Sequence, residues 1–439
     1  MLAALVRDKN WNFRAFRTQF TAAAGRVAKR DEDPDIAHTD VTERTYERWR
    51  SGRVRSRPQL VTCRVLEEMF GHPVRELLAP REAEPRPGDA GGQAGTPGMT
   101  IEEMLTMAAR KARQFTANAE ESNIGDAGLD QLREEAAALA ETFPATPVDQ
   151  LAGRLVALQE ETFTRLEGRQ PPHYTRKLHE VAALANGMLA KAAHDLGSPR
   201  TAMTTAQTAW MCASFAENAP LQAWVRGLES LISFWAGRPR QAREYAAGGL
   251  ELPGVAGTVR VWLHALDARA AAALGDAPAA MAAVHDAEEA REQVIPDDLD
   301  AIGGMCAFAA ERQDYYAAHT GTLLPKQLSG SQIGRKAGRY AEQAIDVYEA
   351  APAAPSFGDL AGARVALAIT RIRDGELDGA AEAVAPVLEL PPPMRINGVR
   401  TCLHGVHREL AASASRAAIV ADVQQEIEAF GQDRPRAAL

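Results

Sequence analysis

Apolar positions along this 439-residue chain recur three and four residues apart, the stride of one helix face. Alanine dominates, and runs of β-branched residues are scarce, so helix is favoured throughout. In the first eighty residues the pattern predicts about five short helices. One covers roughly Leu2–Lys9. A second begins near Asn12 and puts Phe13, Phe16 and Phe20 on one face. After a polar connection at Asp31–Asp40, a third helix is predicted over Thr42–Ser51, opened by a threonine cap and ended by Gly52. Pro58 opens a fourth helix with the stripe Leu60, Cys63, Leu66, Met69 and Phe70. Pro73 begins a last one, with Val74, Leu77 and Leu78 facing inward. Residues 1–79 form the first predicted domain.

Pro80–Gly98 interrupts the pattern. Prolines 80, 85, 87 and 97 alternate with five glycines and no large apolar side chain, so residues 80–98 read as a flexible linker. Helix resumes at Thr100-Ile-Glu-Glu103, where Thr100 and Glu103 match a capping box. Residues 99–430 then read as one helical domain, followed by a disordered tail at 431–439. Within that domain Gly197, Gly237, Gly275 and Gly375 are each followed five residues later by alanine: Ala202, Ala242, Ala280 and Ala380. Seven residues before each glycine stands a small residue: Ala190, Ser230, Ala268 and Ala368. Seven after each alanine stand Ala209, Gly249, Ala287 and, breaking the rule, Val387. Glycine in a turn between helices that approach closely through small residues is a helical hairpin. The first three units are spaced by 40 and 38 residues, and the gap before the fourth leaves room for two degenerate units. The small–Gly–Ala–small spacing resembles tetratricopeptide repeats, whose period is about 34. Helices in 101–170 are expected to extend or cap the array.

Charge divides the chain at the same place. Residues 1–80 hold 15 Lys+Arg and 11 Asp+Glu, a net of +4, whereas the remainder carries −13. A basic head on an acidic body puts any nucleic-acid contact in the head. The four scattered cysteines form no C-x-x-C pair and read as reduced thiols. No apolar stretch reaches the length of a membrane span, and the N-terminus meets charge too early for a secretory signal, so the expected location is the cytoplasm.

The chemistry concentrates at Val41–Arg57, where six arginines from Arg44 to Arg57 accompany a single acid, Glu47. Clustered guanidinium on a short helix and the turn after it is the footprint of a phosphate reader. Helical spacing sends Glu43, Arg44, Glu47 and Arg48 to one side, while Tyr46 and Trp49 return to the core. Arg44 or Arg48 is suited to a bidentate contact with guanine, and Glu43 or Glu47 to accepting from cytosine. Thr42, Thr45, Arg50, Arg53, Arg55 and Arg57 would lie along phosphates. The alternative is a solvated basic helix end that favours the helix dipole.

Val41-Thr42, Tyr46, Arg48-Trp49 and Gly52, with Arg64-Val-Leu-Glu-Glu-Met-Phe-Gly-His-Pro-Val-Arg-Glu-Leu-Leu78, resemble Xre/Cro-like helix-turn-helix regulators, in an actinobacterial branch fused to tetratricopeptide repeats. The resemblance implies an all-α chain: a small helix-turn-helix bundle, then an α-solenoid of tetratricopeptide-like helical hairpins. It implies a transcriptional regulator, a repressor of secondary metabolism or differentiation, bound to double-stranded DNA as a homodimer joined through the repeats. One departure stands out: 15–20 residues separate the second helix from the third, where the family has a tight turn. The repeat groove is expected to receive a signalling peptide or partner protein, with Trp210, Trp224, Arg312, Tyr315 and Tyr316 as candidate contacts. The rival reading is a repeat adaptor whose head docks a protein.

Catalysis has no support in the sequence, and no cofactor is expected. His404 and His407 lie three apart without further ligands, and Asp297, Asp298 and Asp300 lack the spacing of a calcium loop. Phosphate-loop, dinucleotide, zinc-protease and serine-hydrolase motifs are missing.

Overall fold

A computed structural model describes residues 5–6, 11, 13–31, 33–50, 58, 60–72, 74–77, 105–112, 122–325, 332–350, 356–413 and 417–432. Among the described residues every regular element is a helix, so the all-α expectation holds. The chain separates into two compact units, Met1–Met99 and Thr100–Leu439. The expected linker, residues 80–98, and Thr100 and Glu103 of the expected capping box lie outside the described residues.

In the first unit, α1 (Phe13–Arg30) packs on a 3-10 turn (Pro34–His38), on α2 (Glu43–Arg50) and on α3 (Leu60–Phe70). The short α4 (Val74–Leu77) follows. Of the expected first helix only Leu5 and Val6 are described; both are helical, and Val6 is buried. The core is aromatic. Phe16 and Phe20 are fully buried, and the Phe16 ring centroid lies 5.1 Å from Tyr46 and 6.0 Å from Trp49. The long connection between α1 and α2 is itself anchored. Ile36 and Val41 enter the core, and Asp40 accepts from Arg17 Nε at 2.8 Å and from the Val41 amide at 2.8 Å. The Arg17 guanidinium, with that amide, holds the Asp40 carboxyl below its usual pKa.

The second unit begins with α5 (Asp126–Thr142), a 3-10 turn (Phe143–Ala145) and α6 (Val148–Leu166). Paired helices follow: α7 (Pro172–Asp195) with α8 (Pro199–Phe215), α9 (Ala219–Trp235) with α10 (Pro239–Leu250), and α11 (Thr258–Ala273) with α12 (Ala277–Glu292). A short α13 (Asp298–Ile302) precedes α14 (Ala310–Leu323) with α15 (Gln332–Ala350), α16 (Phe357–Asp374) with α17 (Leu377–Leu388), and α18 (Asn397–Ala412) with α19 (Ala418–Gln432). Successive first helices touch one another, α7 on α9, α9 on α11, α11 on α14, α14 on α16 and α16 on α18. They form an inner layer, and α7, α9, α11 and α16 are buried over much of their surface. The second helices bury only a narrow stripe, such as Ala202, Ala206 and Ala209 on α8.

The turns explain the glycine repeat. Gly197, Gly237, Gly275 and Gly375 have φ of 79°, 74°, 78° and 89°, the left-handed conformation that closes a helix. The next amide then bonds five residues back, as from Arg238 to the Ser233 carbonyl at 2.9 Å. Proline at 199, 239 and 278 helps open the following helix. The small residues sit where the helices of a pair meet. Ala190, Ser230, Ala268 and Ala368 are all buried, as are Ala202, Ala242, Ala280 and Ala380. Ser230 Oγ donates to the Ala242 carbonyl at 2.8 Å.

Two expectations need correction. The interval from Gly275 to Gly375 holds one hairpin, α14–α15, because residues 293–309 form an intervening segment in place of a second pair. Helix α19 runs to Gln432, so the expected disordered tail begins inside a helix; Phe430 is buried, with the Arg395 guanidinium carbon 4.4 Å from its ring. Residues 433–439 lie outside the described residues.

The intervening segment bridges distant parts of the unit. The Met305 amide donates to the Ala140 carbonyl at 3.0 Å, and Trp224 Nε1 donates to the Met305 carbonyl at 3.1 Å. Gly304 lies so close to α5 that a β-carbon would stand 2.1 Å from the Ala140 oxygen. Helix α18 also returns to contact α7.

Candidate functional site

Two places bring functional side chains together, one in each unit. In the first, Thr42 opens α2: its hydroxyl accepts the Thr45 amide at 3.3 Å, and its carbonyl accepts the Tyr46 amide at 3.0 Å. Tyr46 and Trp49 are 1% and 4% exposed, and Tyr46 Oη donates to the Trp11 carbonyl at 2.5 Å. That aromatic pair fixes the rotation of the helix. Glu43, Arg44, Glu47, Arg48 and Arg50 consequently face outward, and all five are exposed. Arg48 Nη2 donates to Thr45 Oγ1 at 3.1 Å, and Arg50 pairs with Glu47 at 3.3 Å. Exposed pairs of this kind contribute little and exchange readily for another anion. Arg53, Arg55 and Arg57 lie outside the described residues.

In the second unit the inner helices surround an open cavity of about 900 Å³, counting the solvent at its mouth. Its walls include Lys191, His194 and Asp195 of α7, Trp235 of α9, Trp262 and Arg269 of α11, Arg312, Tyr315 and Tyr316 of α14, and Asp359 of α16. The charges are mostly paired. Lys191 Nζ lies 2.5 Å from Asp195, and Arg312 Nε lies 2.8 Å from Asp359, which also accepts from Ser356 Oγ at 2.8 Å. Burial, with the Lys191 and Arg269 charges, lowers the His194 pKa to about 3; burial and Arg269 do the same to His319, also to about 3. Burial pushes the Cys402 thiol up to about 12. These groups are therefore neutral near pH 7.

The groove residues expected from the sequence divide. Arg312, Tyr315 and Tyr316 line the cavity. Trp224 does not: it is 1% exposed, and its ring fills the space that a β-carbon on Gly187 would enter at 2.2 Å. The contact repeats one hairpin later, between Trp262 and Gly227. Trp224 is thus inter-helix packing, which corrects its assignment to the groove. Trp210 stacks on Arg226, whose guanidinium carbon is 3.6 Å from its ring centroid, and it too lies away from the cavity wall. Tyr315 serves both roles, because its ring also occupies the space beside Gly362.

Sequence reasoning missed Arg269, Lys191, Asp195, His194 and Asp359. The available signal was Arg269 itself, a lone cation within Ala268-Arg269-Ala-Ala-Ala-Ala273, next to the small residue of the repeat. The acidic loop resolves into backbone capping: Asp297 accepts the Leu299 and Asp300 amides at 3.0 Å each, while Asp300 accepts the Asp297 amide at 3.2 Å and that of Thr258. His407 lies 3.3 Å from Glu428. Among the described residues no group of three or more His, Cys, Asp or Glu is arranged to hold a metal, and no helix is long and apolar enough to cross a membrane. Comparison with protein-family models, with curated proteins and with solved structures found no match.

Proposed function

We propose that the chain is a DNA-binding transcriptional regulator, with α2 as its base-reading helix and the helical body as the dimerising and sensing part. One observation carries this reading: α2 is pinned by Tyr46 and Trp49 so that Glu43, Arg44, Glu47 and Arg48 all stand on its exposed side. The anchored connection at Asp31–Thr42 supports it further, since Arg17 and Asp40 hold the chain entering α2 despite the length of the link. A helix-turn-helix domain inserts such a face in the major groove, with Arg44 and Arg48 on guanine and the outlying arginines on phosphate. Dimerisation through the body doubles the contacts. The repressor role rests on the resemblance to Xre/Cro-like regulators fused to tetratricopeptide repeats.

Selection of genomic fragments on the full-length chain tests the reading, followed by fluorescence anisotropy on the enriched site. With about six phosphate contacts, affinity should fall roughly 10³-fold between 50 and 200 mM salt. Failure to enrich any site removes the regulator reading. The charge balance on α2 favours the rival adaptor, because Glu43 and Glu47 offset part of the arginine charge and Arg50 is already paired. A partner protein retained after Arg44→Ala and Arg48→Ala would support that alternative.

A further inference from the structure

The cavity in the second unit contains one cation whose partner is missing from the fold. Arg269 is 1% exposed, and its Nε and Nη2 are buried without any hydrogen-bond acceptor. These two nitrogens share one edge of the guanidinium, the edge that receives a pair of oxygens side-on. The faces of the group are already covered. Its central carbon lies 3.7 Å from the Tyr316 ring centroid and 5.0 Å from that of Phe234, so aromatic packing sets its position while that buried edge stays unpaired.

An arginine taken from water with no anion beside it costs several kcal/mol. Stacking on the Phe234, Trp235 and Tyr316 rings offsets part of that cost but supplies no hydrogen-bond acceptor. The other two cations on the cavity wall have their own carboxylates, Lys191 with Asp195 and Arg312 with Asp359. The nearby imidazoles and thiol are neutral. The remaining charge is therefore one positive unit, on a cavity wall shared with Trp235, Trp262, Tyr315, Tyr316 and Leu228.

We propose that this cavity is a binding site for an organic carboxylate with an apolar or aromatic body, its carboxylate paired with the Arg269 guanidinium on the cavity wall. The charge count favours a monoanion. A phosphate monoester, carrying between one and two negative charges near neutrality, would leave charge uncompensated in an apolar chamber, whereas a carboxylate closes the balance. The same group ends a peptide chain or a free aromatic acid, and the apolar walls suit either. The site is argued from the second unit alone, so it stands or falls independently of DNA binding by α2.

The test is thermal unfolding of the full-length chain, together with its tryptophan fluorescence, since Trp235 and Trp262 line the cavity. The probes are 3-phenylpropanoate, its primary amide, a hydrophobic tripeptide with a free or an amidated C-terminus, and inorganic phosphate. The carboxylates should raise the melting temperature by several degrees at saturation and change the fluorescence, whereas the amides and phosphate should do neither. A response to the tripeptide acid alone identifies a peptide terminus as the source, and a response to phenylpropanoate identifies a free acid. Arg269→Met should abolish the shift and, by removing an unpaired buried charge, raise the melting temperature of the unliganded chain. Arg269→Lys keeps the charge without the fork and should weaken binding at least tenfold, which preserves the test if the methionine variant does not fold. Equal shifts from acid and amide, no shift from either acid, or a folded Arg269→Met protein that keeps the acid-dependent shift would each overturn the proposal.

Discussion

Arg44 and Arg269 are the same side chain in opposite settings. Arg44 stands exposed on the outer side of an eight-residue helix, with its backbone held by Tyr46 and Trp49. Arg269 stands among alanines inside a layer of helices, and its guanidinium touches rings where Arg44 meets water. Hydration is what separates them. An exposed arginine surrenders water only when a ligand arrives, so its contacts are weak, exchangeable and sensitive to salt. A buried one has lost its water on folding, and the fold carries that cost whether or not a ligand is present.

The sharpest way to break this contrast is to remove the exposed pair. Arg44→Ala with Arg48→Ala should cost about 1–3 kcal/mol of site discrimination for each lost base contact, with the melting curve of the body unchanged. Anisotropy on specific and scrambled duplexes measures it, and unaltered discrimination would show that α2 does not read bases. Next in size is the closeness of the body. Gly227→Ala places a β-carbon 2.4 Å from the Trp262 ring, so a loss of about 1–3 kcal/mol is expected in a denaturant titration. A change near zero would mean that the inner helices give way easily, and the dry setting assigned to Arg269 would lose its basis.

A pH-dependent effect concerns His319, stacked on Trp235 at 5.6 Å and on Tyr315 at 6.1 Å. Burial, then Arg269, holds its pKa at about 3 in the folded chain, well below the usual 6.5. The unfolded chain therefore binds the extra proton first as pH falls. The contribution of the neutral ring is complete above pH 6.5 and is lost progressively down to about pH 3. Relative to His319→Phe, the parent should lose about 1.4 kcal/mol per pH unit across that window. A stability difference that stays constant from pH 7.5 to 5.5 would contradict the desolvated interior. The smallest effect belongs to the link from α8 to the next hairpin at α9, where Glu217 adopts φ 54°, the left-handed conformation that glycine takes in the turns within hairpins. Glu217→Gly should stabilise by a few tenths to about 1 kcal/mol, the relief of left-handed strain less the entropy that glycine adds to the unfolded chain. A lowered midpoint would show that the Arg176–Glu217 pair outweighs that strain.

Local features were legible in the sequence because their causes are local. The glycine turns, the small residues beside them and the outward face of α2 all follow from spacing within one or two helices. The closing of the body by residues 303–308 was not legible, since nothing near Met305 announces that its amide will meet Ala140. Trp224 was misassigned for the same reason: whether a tryptophan fills a neighbour's glycine notch or lines a cavity depends on Gly187, in another helix. Arg269 was visible as a charge among alanines, but its lack of a partner is a property of five helices at once.

The bridge at Met305 also constrains the order in which the second unit can be assembled. Ala140 is synthesised long before Met305, so the α5 carbonyl that receives the Met305 amide must wait while the intervening hairpins are made. Closing a loop of that length is slow compared with forming any single hairpin, because the chain entropy must be lost before the contact rewards it. Until Gly304 settles against α5, the Ala140 carbonyl and the Trp224 indole lack the partners that Met305 supplies. Side chains larger than hydrogen at that one position would hold the door open, and the cost would appear as aggregation during synthesis before it appeared as instability of the finished molecule.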